Sequence, residues 1–489
     1  MTATESPTVR ERSRWIVLTL MGLALCVVVL NNSAMNVAIP ALMRDLGADL
    51  TAVQWIIDSY SIVFAGLLIV AGVWSDRWGR KRLTLGGLAV FGAASVLAAF
   101  ATSTAELIAL RAVLGAAAAF VMPGTLAILL HTFDRTERPK AIAAWSGIAA
   151  LGVALGPVLG GLMVDEFGWS AVFWLNVPLV VGVVVASLVV VRESADPAAP
   201  PTDVRGAVLS VLTIGALVFT VIELGAPATP SGVVVAGGLV AIVAAVAFVR
   251  RLRTAPHPLI EVSLLRDRRF AGAAVSNMLL FFGLAGALLV LTQRLQQQLG
   301  MSPFTAGLAV GPVALTVLAA TAFSPAVAQR LGARWAVGAG MIMAAAGLLI
   351  LGWWGHQYPI IVVALSAVGI GFGLATPVAT SMLVASLPDD RASSGSAVND
   401  TMQELGFALG VAVVGAVLNR VFQHRMPDAS LHAALDRAAV EGTAVAEQAG
   451  TAFDIASASA MTIGALITLL AAAVAIRLLP GRAGTKSAP

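Results

Sequence analysis

From Trp15 to Leu479 this chain is a succession of apolar stretches, each close to the ~20 residues that a helix needs to cross a bilayer's hydrocarbon core. In hydrocarbon every backbone N–H and C=O must be satisfied within the chain, which leaves helices and closed barrels. The alternating ten-residue pattern of barrel strands is missing, and the stretches are rich in alanine, valine, leucine and glycine. An all-α integral membrane protein follows. Charged residues make up 11% of the 489, against about 25% in a soluble domain, so the chain lacks a polar coat. Its one cysteine, Cys26, excludes an intramolecular disulfide, and no metal-ligand cluster is visible. No cofactor is expected. The first stretch, 15–39, is too long for a signal-peptide core and has no small-residue cleavage site after it, so it stays as helix 1.

Apolar runs between charged or Pro/Gly breaks predict fourteen spans: 15–39, 51–73, 83–100, 105–130, 140–163, 171–191, 205–225, 231–249, 270–292, 303–325, 334–354, 358–386, 394–419 and 454–478. With the N-terminus inside, twenty-four Lys and Arg residues fall in inner segments and five (Arg44, Arg294, Arg420, Arg425, Arg437) in outer ones. Such a split satisfies the positive-inside rule and supports an even span count with both termini cytoplasmic. It also accounts for the net charge of +4 without nucleic acid as a partner. The organisation reads as a six-helix bundle over 1–191, a linker plus two inserted helices over 192–269, and a second six-helix bundle over 270–489 with an outer loop at 420–453. The linker 196–203 is proline-rich, and the outer segment 423–450 has helix-like spacing. A degenerate repeat relates the bundles: Gly72-x-x-x-Asp76-Arg77-x-Gly79-x-Lys81 recurs as Pro325-x-x-x-Gln329-Arg330-x-Gly332-x-Arg334. Repeated bundles are how alternating-access transporters are built.

The inner loop Gly72-Val-Trp-Ser-Asp76-Arg77-Trp-Gly79-Arg80-Lys81-Arg82 is the most specific motif. Its glycines permit a tight turn, and Asp76 can either bind an adjoining helix end or pair with the arginines. The segment resembles the G-x-x-x-D-R-x-G-R-[KR] loop of the major facilitator superfamily. Arg111-Ala-Val-Leu-Gly115 resembles that family's R-x-x-x-G element in helix 4. Gly152-x-x-x-Gly156-Pro157-x-x-Gly160-Gly161 resembles the antiporter motif of its exporters, and Trp169-x-x-x-Phe173-x-x-Asn176-Val-Pro178 resembles the stretch opening helix 6. Coverage of the whole chain and the fourteen-helix count point to the drug:proton antiporter-2 branch. The resemblance implies a major facilitator fold arranged 6 + 2 + 6 and a multi-pass protein of the bacterial inner membrane, acting in antibiotic resistance as a monomer. It also implies gating roles for Gly72, Asp76, Arg77, Gly79, Arg80, Arg111, Gly152, Gly156, Pro157, Gly160 and Gly161.

Ionisable groups at membrane depth are costly and mark function unless paired. Asp58 lies about 10 Å into helix 2 at 1.5 Å per residue, so it either serves a substrate and proton site or is satisfied by a neighbouring helix end. Trp55 and Tyr60, near it in sequence, offer aromatic faces to a cation. Asp400 and Glu404 share one face of helix 13, and two close carboxylates resist joint ionisation, which suits a proton site. Asp400 lies nearer the inner rim. The W-I-I-D-x-Y-S pattern and the helix 13 acids resemble those of the branch's quaternary-ammonium exporters. Helix 1 departs from the family motif, carrying Asn31 where an aspartate is usual, so no proton binds there; Asn31 and Asn36 remain cavity-lining candidates. Glu223, near the outer end of helix 7, reads as peripheral and solvated.

These features favour proton-coupled antiport of hydrophobic, often cationic drugs over export of one lipid, antibiotic or metabolite on the same fold. An enzyme is not expected. Membrane-depth chemistry would need His/Asp or Ser–His arrangements, and His131, His257, His356, His424 and His432 fall in or near loops. A channel is disfavoured by the loop and antiporter motifs. No P-loop is present to power primary pumping.

Overall fold

The computed structural model describes residues 7–134, 136–195, 203–226, 229–259, 262–386, 392–426 and 443–480. Most of the predicted linker (196–202), the middle of the outer segment (427–442, with His432 and Arg437), Arg135, Arg391, Arg482 and Lys486 lie outside the described residues. The described residues are helical, with no strand among them, and fourteen helices are long and apolar enough to cross a membrane.

The first six are α1 (Pro7–Asp45), α2 (Leu50–Trp78), α3 (Arg80–Ala99), α4 (Thr104–Thr132), α5 (Arg138–Phe167) and α6 (Ala171–Val190). The inserted pair is α7 (Val204–Gly225) and α8 (Ser231–Thr254). The last six are α9 (Arg268–Gln298, its last turn a π-helix from Arg294), α10 (Pro303–Leu331), α11 (Ala333–Trp354), α12 (Tyr358–Ala385), α13 (Ala392–Arg425) and α14 (Thr443–Leu478). The predicted spans recur, but several helices run past their predicted bounds. α2 continues through Asp76 and Arg77 until Gly79 breaks it at φ 116°, a conformation open to glycine. α14 starts eleven residues before the predicted 454, in the alanine-rich stretch from Thr443, whose helix propensity needs no apolar run.

The basic segments gather at one end of the bundle. There Arg14 pairs with Glu137 at 2.7 Å, the Arg80 amide donates to the Ser194 carbonyl at 2.9 Å, and the Arg334 amide donates to the Pro480 carbonyl at 3.2 Å. Within the inserted pair, Asp203 caps α7 through the Gly206 amide and binds Arg251 of α8 at 2.9 Å. α7 packs against both α2 and α13, whereas α8 packs chiefly on α7.

Close packing of α5 on α1 follows from small residues four apart. A Cβ at Gly152 would meet the Cys26 carbonyl at 2.9 Å, one at Gly160 would meet Ala34 Cβ at 2.7 Å, and Gly156 abuts Ser33. The Ser33 hydroxyl donates across to the Gly152 carbonyl at 3.2 Å. Without a hydrophobic drive between helices in lipid, this contact area is what joins them. Gly160→Leu and Gly156→Val should therefore lower the melting temperature of the detergent-purified protein, in line with overpacking costs of about 1–3 kcal/mol. Gly182→Ala, at a position with open space around it, should leave the melt unchanged.

Candidate functional site

The centre of the bundle is organised around a buried arginine. Arg111 of α4 is 0% exposed; its Nε donates to the Ile56 carbonyl of α2 at 2.9 Å and its Nη2 to Asn32 Oδ1 at 3.5 Å. The guanidinium lies 4.4 Å over the Tyr60 ring, a cation–π contact strengthened by desolvation. One turn along, Gly115 lets α4 approach the Tyr60 carbonyl so closely that a Cβ would collide with it. The spacing R-x-x-x-G thus has a local reason: the glycine brings α4 against α2 so that the arginine can reach the α2 backbone.

Asp58 of α2 is 0% exposed, and neither carboxylate oxygen has a hydrogen-bond partner. Arg111 is the charged group in its electrostatic range. Glu404 of α13 lies beside Ser61 and within electrostatic range of Arg111, Tyr60 and Asp400, with Oε2 unpartnered. One acid from each six-helix set therefore lies within electrostatic range of the Arg111 guanidinium. Asp400 faces a different space. It accepts from Asn399 Nδ2 at 3.1 Å and lines a cleft of about 340 Å³ at the basic end with Asp76, Arg80, His131 and Arg138.

Other candidates are placed elsewhere. Asn31 is fully buried inside the first six helices, accepting from Asn176 Nδ2 at 2.8 Å, while its neighbour Asn32 is the one facing Arg111. Asn36 donates within α1 to the Asn32 carbonyl at 3.3 Å. Trp55 faces α7, packing on Phe219 at 5.8 Å and donating to Glu223 at 3.2 Å, so its ring is turned from Asp58 towards the inserted pair. Glu223, expected to be solvated, is partly buried and also accepts from the Thr229 hydroxyl. The Tyr60 face is taken by Arg111, an internal cation.

In the basic loop, Asp76 accepts from Arg80 Nε at 2.8 Å, and Arg77 is exposed. Gly72 faces Pro123 of α4 at 3.7 Å. Glu193, which the sequence did not single out, accepts from the Lys81 and Arg82 amides at 3.0 Å each and caps α3.

The two six-helix sets meet firmly at the end opposite the basic loops. Gly161 abuts the backbone of Pro303 and Phe304, and Gly307 abuts the Pro157 carbonyl. Gln54 Nε2 donates to the Val411 and Ala412 carbonyls at 3.2 and 3.0 Å, and Gln296 Nε2 donates to the Val37 carbonyl at 2.8 Å. An apolar cluster joining Ile39, Val53 and Ile57 to Val290, Val411 and Leu418 completes this closure. The acids thus sit between a sealed end and an end with an open cleft.

The family model described as Major Facilitator Superfamily matches residues 21–411. The chain is similar to the multidrug efflux pump LfrA of Mycolicibacterium smegmatis, 32% identical over 96% of this chain and 97% of that one. It is also similar to the multidrug resistance protein Stp of Mycobacterium tuberculosis, 32% identical over 83% of this chain and 76% of that one. A crystal structure of a bacterial homologue of the human lysosomal transporter Spinster, inward-facing and unoccupied, shares the fold with a TM-score of 0.69 at 14% identity, covering 96% of this chain and 98% of that one.

The loop geometry yields a double-mutant prediction. A Cβ at Gly79 would meet the Glu193 carboxyl carbon at 2.9 Å and force α3's turn from its positive φ. Gly79→Ala and Glu193→Ala should each lower the melting temperature. The double variant should lose less than the sum of the two, because removing Glu193 relieves the clash. Additive losses in the melts would show that the contact is not shared.

Proposed function

This chain belongs to the major facilitator superfamily, a family of transporters, and we propose that it is a multidrug exporter of the bacterial inner membrane. On this reading it moves hydrophobic, often cationic compounds outwards in exchange for protons by alternating access. The observation that carries the proposal is that Asp58 and Glu404, from opposite six-helix sets, both lie within electrostatic range of one fully buried arginine, Arg111. Carboxylates held there have two stabilising options, a bound proton or a bound cation. Competition between the two is what couples antiport. With both acids ionised and Arg111 charged, the site carries one net negative charge, which a proton or an organic cation neutralises. The positive-inside rule puts the basic end in the cytoplasm, so the cleft at that end is the loading side, and Asp400 on its wall connects Glu404 to cytoplasmic water. Names of relatives such as LfrA and Stp support drugs as cargo. The driving force is ample, since each charge moved gains about 2.3 kcal/mol per 100 mV.

A second reading, export of one specific antibiotic, lipid or metabolite, is supported by Asn31. Its place holds an uncharged amide tied to Asn176 instead of an acid, which lowers the number of titratable groups and alters the charge of the cargo the site suits.

Ethidium movement in energised vesicles tests the primary reading. Transport should collapse with a protonophore and fall to the level of vesicles without the protein in Asp58→Asn and Glu404→Gln. Ethidium transport that ignores the protonophore, or survives in both variants at normal expression, would count against these acids as the coupling pair.

A further inference from the structure

We propose that Asp165 is the latch that holds the end opposite the basic loops shut, a positioning residue for transport that acts through the seam between the two six-helix sets. The proposal rests on the alternating-access reading above.

Asp165 stands at the end of α5, exposed, beyond the reach of the buried acids. One of its carboxylate oxygens accepts two hydrogen bonds from the other six-helix set, from the Ser302 hydroxyl at 2.8 Å and from the Phe304 amide at 2.9 Å. Ser302 is itself held in place: its oxygen accepts from the Thr305 amide at 3.3 Å while its proton goes to Asp165. The receiving groups are therefore fixed before the carboxylate arrives.

Around this link the seam is shape alone. Gly161 meets the backbone of Pro303 and Phe304, and Gly307 meets the backbone of Pro157. These contacts are close but have no directional bond to choose one register over a slip. Among the described residues, the other polar links across the seam at this end come from neutral amides: Gln54 to the Val411 and Ala412 carbonyls, Gln296 to the Val37 carbonyl, Gln293 to Met43 Sδ and Asn419 to the Thr51 hydroxyl. Hydrogen bonds to an ionised group are the stronger kind, though water competes at an exposed site. Asp165 sits on the α5–α10 edge, while Gln54 sits on the α2–α13 edge. Each edge of the seam thus has its own fastening, and opening this end breaks both Asp165 bonds at once.

Asp76 of the basic loop is paired within its own loop, with Arg80. The closed state of the α5–α10 edge therefore owes its preference to Asp165, and removing that carboxylate moves the equilibrium towards the opposite opening.

The test reads both ends of the full-length protein in a Cys26→Ser background. One reporter is Ile39→Cys, buried in the sealed seam; the other is Ala127→Cys, lining the cleft at the basic end. A membrane-impermeant maleimide is applied from each face, to intact cells and to inverted vesicles. Asp165→Ala should raise labelling at the Ile39→Cys reporter roughly threefold to tenfold and lower it at the Ala127→Cys reporter, as a population shift requires. Ser302→Ala should move both reporters the same way, which keeps the test alive if the first variant folds poorly. Asp165→Asn, which retains an acceptor oxygen, should fall between. Unchanged labelling at both reporters, or a rise at both from general loosening, overturns the proposal. The measurement needs neither substrate nor gradient, so it stands apart from failure of the drug–proton reading.

Discussion

A fully buried guanidinium governs the middle of this molecule. A charged side chain at the centre of a bilayer is costly unless it faces the interior and is paired. Arg111 meets that cost with a carbonyl of α2, an aromatic face and the field of two acids. Those same contacts fix α4 against α2 and fix Tyr60, and they decide which face of α2 looks inward. Any account of cargo binding has to begin from the fact that one cation already occupies the aromatic surface of the site.

The two acids of α13 divide their surroundings although they lie one turn apart. Glu404 faces Ser61 and the field of Arg111, and Asp400 lines the cleft at the basic end. A helix turn of about 5.4 Å thus separates two different surroundings. The asparagine network behind them, Asn277 with Asn399 and Thr380, holds the start of α13 to α9 and α12. It sets where Asp400 stands.

The architecture was legible because hydrocarbon enforces it: fourteen apolar stretches and a one-sided basic pattern leave few alternatives, and helix ends differed where alanine-rich sequence extended the helix. Parts of the site were legible too. The depth of Asp58 and the isolation of Arg111 mark both as interior residues from sequence alone. Rotation was harder. Trp55 shares a helix and nearly a turn with Asp58, yet it is drawn to Phe219 and Glu223, partners some 165 residues away that no local pattern announces. Asn31 and Asn32 are adjacent and chemically identical, and only the packing of α6 against α1 decides that the first meets Asn176 and the second meets Arg111. Glu193, Asp165 and Gln54 were invisible for the same reason: each is an ordinary polar residue until a distant backbone supplies its donor or acceptor.

The inserted pair carries a consequence for how lipid meets the protein. α7 lies against α2 and α13 together, and Asn419 of α13 donates to the Gly225 carbonyl at its end while Gly225 abuts Ala416. One edge of the seam is therefore roofed by a helix along much of its length, and the α5–α10 edge carries no such roof among the described residues. The molecule resembles a book bound along one side. On the alternating-access reading, pages so bound would part most widely at the free margin, where acyl chains would press directly on the joint. Bilayer thickness and lateral pressure would then act on one edge of the seam, a lever on the conformational balance that the roofed edge does not offer.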